Sequence, residues 1–530
     1  MPSPETRYAA SGAVSPAPGW NCQRVVRASR LNGANGMRTG ADGRIYVAQV
    51  AGSCVSAINP DSGDIEMFSA MGAGITAPDD LAFDEVGNLY CTEITENRIS
   101  VRRPDGRTEI LLGDVPVANP ITYHQGHLIA GECRVGARIM EIDRNGGAPR
   151  VILADVPMVN AFEVGPDGKL YFPVMGMNEI WRIDLAGGEP EVVAKDLGVP
   201  DSLKFDRQGR IVSTQVASGQ VLRIDPRTGT KEVLADIGPG LDNCTFVGDR
   251  IFVSHITGGV FEILEPGKVR PLVEKGMQWP MGLALGGDGS LFVADGGFAY
   301  ALTSDGQLDL LGMLFTPGHP GFTRGVVAGR AGEWIVTTAN GDVARWRPAA
   351  QEHEVLVSGR NQLMGVCTAG AAVVFAEFGT GKVLADEGGA VSELASGLDQ
   401  PMGVAAAADG TIYVSEAAAG RVVKLSGGRS ETVLDGLVRP EGIAIAGGTL
   451  YTLDVGAHQL VASDLSGGNR QVIASGLPVG TPDGVPPQFL GGVGDMCGPM
   501  LHFAGVAAGA DGTIYVAGDA EGSVLALRPA

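Results

Sequence analysis

The sequence predicts an all-β fold built as two tandem six-bladed β-propellers, and three observations predict it. A unit of roughly 40 residues recurs along the chain. Gly-containing turns separate short runs in which apolar and polar residues alternate. Helical periodicity is absent. Composition agrees: of 530 residues 80 are Gly, only 6% are aromatic and 19% charged, as expected of many short strands joined by tight turns. The length exceeds what one ordinary core holds and calls for more than one domain.

Each unit reads as a polar residue, a short apolar strand, a Gly turn, a second strand of the form [IL]-[YF]-V-x-[DEQ], a third strand and a β-branched fourth. The clearest copies are NGMRTGADGRIYVAQ from Asn35, DDLAFDEVGNLYCTE from Asp79, DSLKFDRQGRIVSTQ from Asp201, MGLALGGDGSLFVAD from Met281 and MGVAAAADGTIYVSE from Met402. Weaker copies start near Asn119, Asn160, Asp242, Arg324, Met364, Glu441 and Ala504, which makes about twelve. Asp-Gly or Gln-Gly between the first two strands suits a hairpin turn that needs positive φ.

The expected organisation is a flexible tail over 1–20, a first propeller over 21–275 and a second over 276–530, interrupted by a Gly/Pro-rich insertion over 477–501. That insertion reads either as a flap over the second wheel or as a passive surface loop, and so does the shorter Thr316–Phe322, which holds His319. The last unit stops after its third strand, while an unattached strand, Gln23–Arg27, precedes the first. A terminal strand of this kind closes a wheel by completing a blade. Whether it closes the first wheel, or the wheels interlace through both termini, stays open.

A formal net charge of −21 argues against nucleic acid and anionic membranes as partners, since both repel it. The seven cysteines are scattered without CxxC spacing and read as reduced thiols. The first residues lack a basic n-region and an apolar h-region, and no run approaches a membrane span, so the expected location is cytoplasmic.

The residue opening each innermost strand points toward a propeller's axis. In units one to six it is Asn35, Asp79, Asn119, Asn160, Asp201 and Asp242; in units seven to twelve it is Met281, Arg324, Met364, Met402, Glu441 and Ala504. Asn and Asp open many strands because they favour turns. Turn preference, however, predicts the same residues in both halves, and only the first has them. Six convergent oxygen-bearing side chains suit a hard cation, Ca²⁺ or another divalent ion, whereas zinc prefers His or Cys. A second layer ends the second strands: Gln49, Glu93, Glu132, Val174, Gln215 and His255. Acidic residues stand there in both halves, so a role in the repeat's own hydrogen bonding competes with a catalytic one. His255 is the exception, an imidazole suited to general base work.

PDDLAFDEVGNLY and PDSLKFDRQGRI resemble the inner-strand repeats of the regucalcin/gluconolactonase group of calcium-dependent propeller hydrolases. LDNCTFVGDRIFVSH, Leu241–His255, is similar to the paraoxonase stretch in which an Asp-Asn pair binds the catalytic calcium. The resemblance implies metal ligands at Asp79, Asn160, Asp201, Asp242 and Asn243. It departs at Asn119, where the paraoxonases carry a second catalytic His; His124 lies on the wrong part of the strand to replace it.

The expected activity is hydrolysis of a lactone or related ester, a small-molecule substrate, with Asp242, His255, Glu93 and Glu132 as catalytic candidates and Asn35, Asn119, Gln49 and Gln215 as substrate contacts. A metal-assisted lyase or isomerase on the same site and a non-enzymatic binding scaffold are the alternatives. Arg324, Glu441, Asp454 and His502 leave room for a second site in the second half. The oligomeric state is open.

Overall fold

The structure is a computed structural model that describes residue 7 and residues 13–481 and 489–530. Those residues contain no α-helix, only three single 3-10 turns, and fold into twelve antiparallel sheets, eleven of four strands and one of five. In most sheets four consecutive strands pair in chain order, as hairpin-linked repeats with connections of two to seven residues must. The turns take the expected backbone: Gly43, Gly87, Gly209, Gly289 and Gly410 all lie at φ between 74° and 85°, where only Gly is free of strain.

The chain divides into two compact units. Arg30–Gln278 makes up most of the first; Trp279–Gly492 and Met496–Ala530, joined by the described part of Thr6–Ser29, make up the second. The boundary expected at residue 21 is therefore corrected. Trp20–Val26 does not belong to the first unit: it pairs along Ser523–Pro529 and supplies the fourth strand of the last sheet. The physical reason is the open edge left by a repeat that ends after three strands. Lys268–Val273 stays in the first unit as the outer strand of its own sheet, paired with Gly259–Glu265. The tail expected over 1–20 lies partly outside the described residues; within them, Ser15–Pro16 adds a fifth strand beside Gln471–Ser475.

Apolar residues of adjacent sheets interlock. Ala82, Tyr90 and Ile99 of one sheet pack with Ile121, Leu128 and Met140 of the next, and Ile129 and Ile139 of that sheet pack with Phe162 and Phe172 of the one after. Hydroxyls staple the first strands together. Thr92 Oγ1 donates to the Asn119 carbonyl (2.6 Å), Ser254 Oγ to that of Asn35 (2.8 Å) and Thr214 Oγ1 to that of Asp242. In this way the first strands of successive sheets are drawn side by side.

In the second unit that proximity has a sequence signature. The residue after each strand opener is Gly, and a Cβ there would collide with the next opener's carbonyl: Gly282 with Arg324, Gly325 with Met364, Gly365 with Met402, Gly403 with Glu441, Gly442 with Ala504, and Gly505 with Met281 again. The contacts run in a cycle. The first unit repeats the device once, at Gly36 against the Asp79 carbonyl oxygen (2.5 Å).

Candidate functional site

The six strand openers of the first unit are all buried, none more than 7% exposed. Asn35 Nδ2 donates to Asp242 Oδ2 (3.1 Å), and Asn35 Oδ1 accepts from the Val50 N–H (3.2 Å), so this amide orients one carboxylate. Asp79, Asp201 and Asp242 lie close enough to repel one another. Burial, reinforced by Asp242 and Asp80, holds the Asp79 carboxyl well above the usual range; burial with Asp79 and Asp80 does the same to Asp201. Asp242 is raised by burial and Asp201, against a small opposing pull from its bond to Asn35. Among the described residues, Asn119 Oδ1 is buried without a partner.

Sequence reasoning missed two neighbours of this cluster. The Cys133 thiol is buried against it, pushed up by desolvation and then by Asp201, Asp79 and Asp242, and it lies 3.9 Å from Met175 Sδ. Met175 Sδ in turn accepts from Asn160 Nδ2 (3.3 Å). Both residues immediately follow a second strand, a position whose apolar character in the repeat hides its place beside the openers.

A second layer lies three residues further along the first strands, where Arg38, Glu163 and Lys204 stand while other repeats carry Ala82, Thr122 and Thr245. Glu163 Oε2 accepts from Arg38 Nη1 (3.2 Å) and pairs with Lys204 Nζ (3.0 Å). Arg38 also reaches Asp80 (3.7 Å) and the carbonyls of Leu81 and Ile121. Burial acts to raise Glu163, but Lys204 and Arg38 outweigh it and keep the carboxylate ionised. A charged residue within an otherwise apolar strand such as DSLKF was the available signal.

The polar second-strand residues are held by hydrogen bonds. Gln49 Oε1 accepts from the Asn32 N–H (2.7 Å) and Gln215 Oε1 from the Gly198 N–H (3.0 Å). Glu93 takes the Thr76 N–H (3.0 Å) and Arg98 (2.8 Å), and Glu132 is held by Arg134 and Arg138. The same bond recurs in the second unit, from Asn361 to Glu377 (2.9 Å) and from Asp399 to Glu416 (2.8 Å). Gln49, Glu93 and Gln215, expected in catalysis or substrate contact, thus bond the loop that enters their sheet, and Glu132 bonds two arginines that follow its strand. His255 is similarly engaged: its ring meets the Pro239 carbonyl (2.9 Å) and the Thr257 hydroxyl (2.9 Å), and burial lowers its pKa to about 3. Both ring nitrogens of the residue expected to act as general base are thus engaged within the repeat. Asn243 Oδ1 accepts from the N–H of Cys244 (2.8 Å), a local bond that Asp80 Oδ1 repeats with Leu81 (2.8 Å).

The donors that remain, carboxylates and amides in a buried cluster with an orphaned amide oxygen, have the chemistry of a hard-cation site. Among the described residues no three acidic, His or Cys side chains approach closely enough to share one ion. A cation would therefore draw on amide oxygens and water besides one or two carboxylates, a donor mixture calcium accepts.

No family model matches this chain, and neither does any curated relative. Among solved structures it is similar to a chain of a nidogen/laminin complex, at 16% identity over 38% of this chain and 79% of that one with a TM-score of 0.35. It is similar to the extracellular domain of a hybrid two component system from B. thetaiotaomicron, at 9% identity over 93% and 75% with a TM-score of 0.33. A luciferin-regenerating enzyme is similar at 12% identity over 45% and 89%, with a TM-score of 0.37. No helix among the described residues is long and apolar enough to cross a membrane.

Proposed function

We propose that each unit is a six-sheet propeller and that the first is a divalent-cation-dependent hydrolase of a lactone or related ester, with calcium as the ion. The wheel arrangement is supported by the cycle of glycine contacts in the second unit and by first strands lying side by side in the first, where Met37–Thr39 touches both Pro78–Phe83 and Leu241–Val247. One observation carries the activity: three buried carboxyl groups, Asp79, Asp201 and Asp242, lie near enough to repel one another, and an amide, Asn35, donates to one of them. Unpaired buried charge is costly, and a bound cation offsets that cost.

Asp79, Asp201, Asn119 and Asn160 would hold the ion, which supplies polarisation of the substrate carbonyl. Asp242, fixed by Asn35, accepts the proton of the attacking water; its raised pKa brings its basicity nearer to neutrality. The thiol of Cys133 and thioether of Met175 give the site one apolar wall. The ion pairs of Arg38, Lys204, Glu163 and Asp80 block the axis beneath it, so substrate enters from the openers' end.

Calcium titration by calorimetry tests the ion site. Wild-type binding that falls at least tenfold in Asp201→Asn and Asp79→Asn supports it, while unchanged affinity in both variants sinks it. Lactones incubated in ¹⁸O water then test the reaction, since hydrolysis places label in the product acid. Product without label would move the activity to elimination or isomerisation at the same site.

A further inference from the structure

The second unit buries a different set of charged groups. Arg324 opens the strand Thr323–Ala328 at the place the first unit gives to Asp79, and it is 0% exposed. Its Nη1 donates to the Leu363 carbonyl (2.9 Å) and its Nη2 to the Pro499 carbonyl. Nε is buried with no partner. No carboxylate among the described residues pairs with it. The titratable group that acts on it is the Cys497 thiol, and burial, the larger influence, lowers the guanidinium to about 10. Buried arginines are ordinarily matched by a carboxylate, because carbonyls compensate a full positive charge only in part.

Elsewhere in the second unit the same incompleteness recurs. Arg439 donates Nε to Glu441 Oε1 (2.9 Å) but leaves Nη2 buried and unpartnered, and Asp519 leaves Oδ2 in the same condition. Glu441 spends its other oxygen on the Ala504 N–H (2.8 Å). His502 Nδ1 accepts from Trp279 Nε1 (3.1 Å) and stands 3.7 Å from Asp519. The described part of the long insertion covers this end: Pro499 meets Arg324, Gly498 donates to Asn340 Oδ1 (2.7 Å), and Phe489 lies against Phe378 and Arg439. Beneath it a narrow cavity runs between the six ring glycines and ends at Phe503.

We propose that this end of the second unit is a binding site for a small organic carboxylate, held by Arg324. The free Nε–H and the adjacent Nη2 form the edge of a guanidinium that carboxylates bind in a two-pronged manner.

Calorimetric titration of the full chain with acetate, lactate, glycine and inorganic phosphate tests this. Acetate, lactate or glycine binds the wild type saturably, and the affinity falls on the order of tenfold to a hundredfold in Arg324→Met, the loss expected of a charge-assisted pair. In parallel, methionine-methyl NMR on the wild type follows Met364, whose neighbour Leu363 accepts from Arg324; its resonance moves on titration even where Arg324→Met does not fold. Absence of saturable carboxylate binding, equal binding by Arg324→Met, or a Met364 signal that stays in place each overturns the proposal. Phosphate binding without carboxylate binding overturns the ligand class.

Discussion

The two units use one repeat and finish its inner end in opposite ways. In the first, Asn and Asp open the strands, and three residues further along them Arg38, Glu163 and Lys204 form ion pairs. In the second, Met281, Met364 and Met402 pack at the openings, a glycine cycle narrows the interior, and an insertion folds over the end. The first unit buries Asp79, Asp201 and Asp242 together, and the second buries Arg324 with no carboxylate partner among the described residues. The repeat sets the frame, whereas one residue per sheet sets the chemical character of its inner end.

The largest effect that would break this comparison lies in the glycine cycle. Gly403→Val places a Cβ 2.5 Å from the Glu441 carbonyl oxygen, a backbone atom that cannot step aside. Urea unfolding should report a loss of about 3 kcal/mol, while a loss below 1 kcal/mol would mean that the strands are not held at this spacing.

Next in size is a pH effect on the first unit. His255 has a folded-state pKa of about 3, below its ordinary 6.5, so the unfolded chain binds its proton first as pH falls. Its contribution is complete above pH 6.5 and is lost progressively toward pH 3, reaching about 2 kcal/mol by pH 5. His255→Gln should flatten that part of the stability profile; equal slopes in variant and wild type would show that the ring is not buried as a neutral group.

Asp201→Asn sharpens the contrast by removing a buried charge. Without calcium it should raise stability at pH 7 by about 1 kcal/mol, because repulsion by Asp79 and the cost of burial both disappear. The carboxyl's folded pKa is raised, so wild-type stability is greatest below the unfolded pKa and is lost as pH rises; in the variant this loss shrinks. Thermal melts at pH 4 and pH 7 with chelator check both signs.

The smallest change is Phe489→Ala on the insertion. The ring is 44% exposed and touches Phe378 and Arg439, so its removal should cost less than about 1 kcal/mol. A larger loss would make the insertion part of the core of its unit.

The repeat, its turns and the difference between the two sets of openers were all legible in the sequence, because strand alternation and turn chemistry are local. Gly-x-φ punctuation marks each hairpin, and Asn35 to Asp242 stand out by type against Met281 to Ala504. The second-strand residues show the limit of local chemistry. Glu93, Gln49, Gln215 and His255 are chemically apt for catalysis, and only the path of the incoming loop shows that its backbone N–H groups or carbonyls occupy them. Cys133, Met175, Arg38, Glu163 and Lys204 were invisible as a group, since they come from different repeats and meet only where first strands are drawn together.

By itself the sequence determined the sheets, their order and the chemical type of residue at each inner position, all consequences of period, turn and polarity. The tertiary structure decided that Trp20–Val26 completes the last sheet, which carboxylates are buried together, and that Arg324 is enclosed without an acid beside it. Those outcomes depend on distances between residues far apart in the chain, and desolvation acts on a charge only once its neighbours have closed around it.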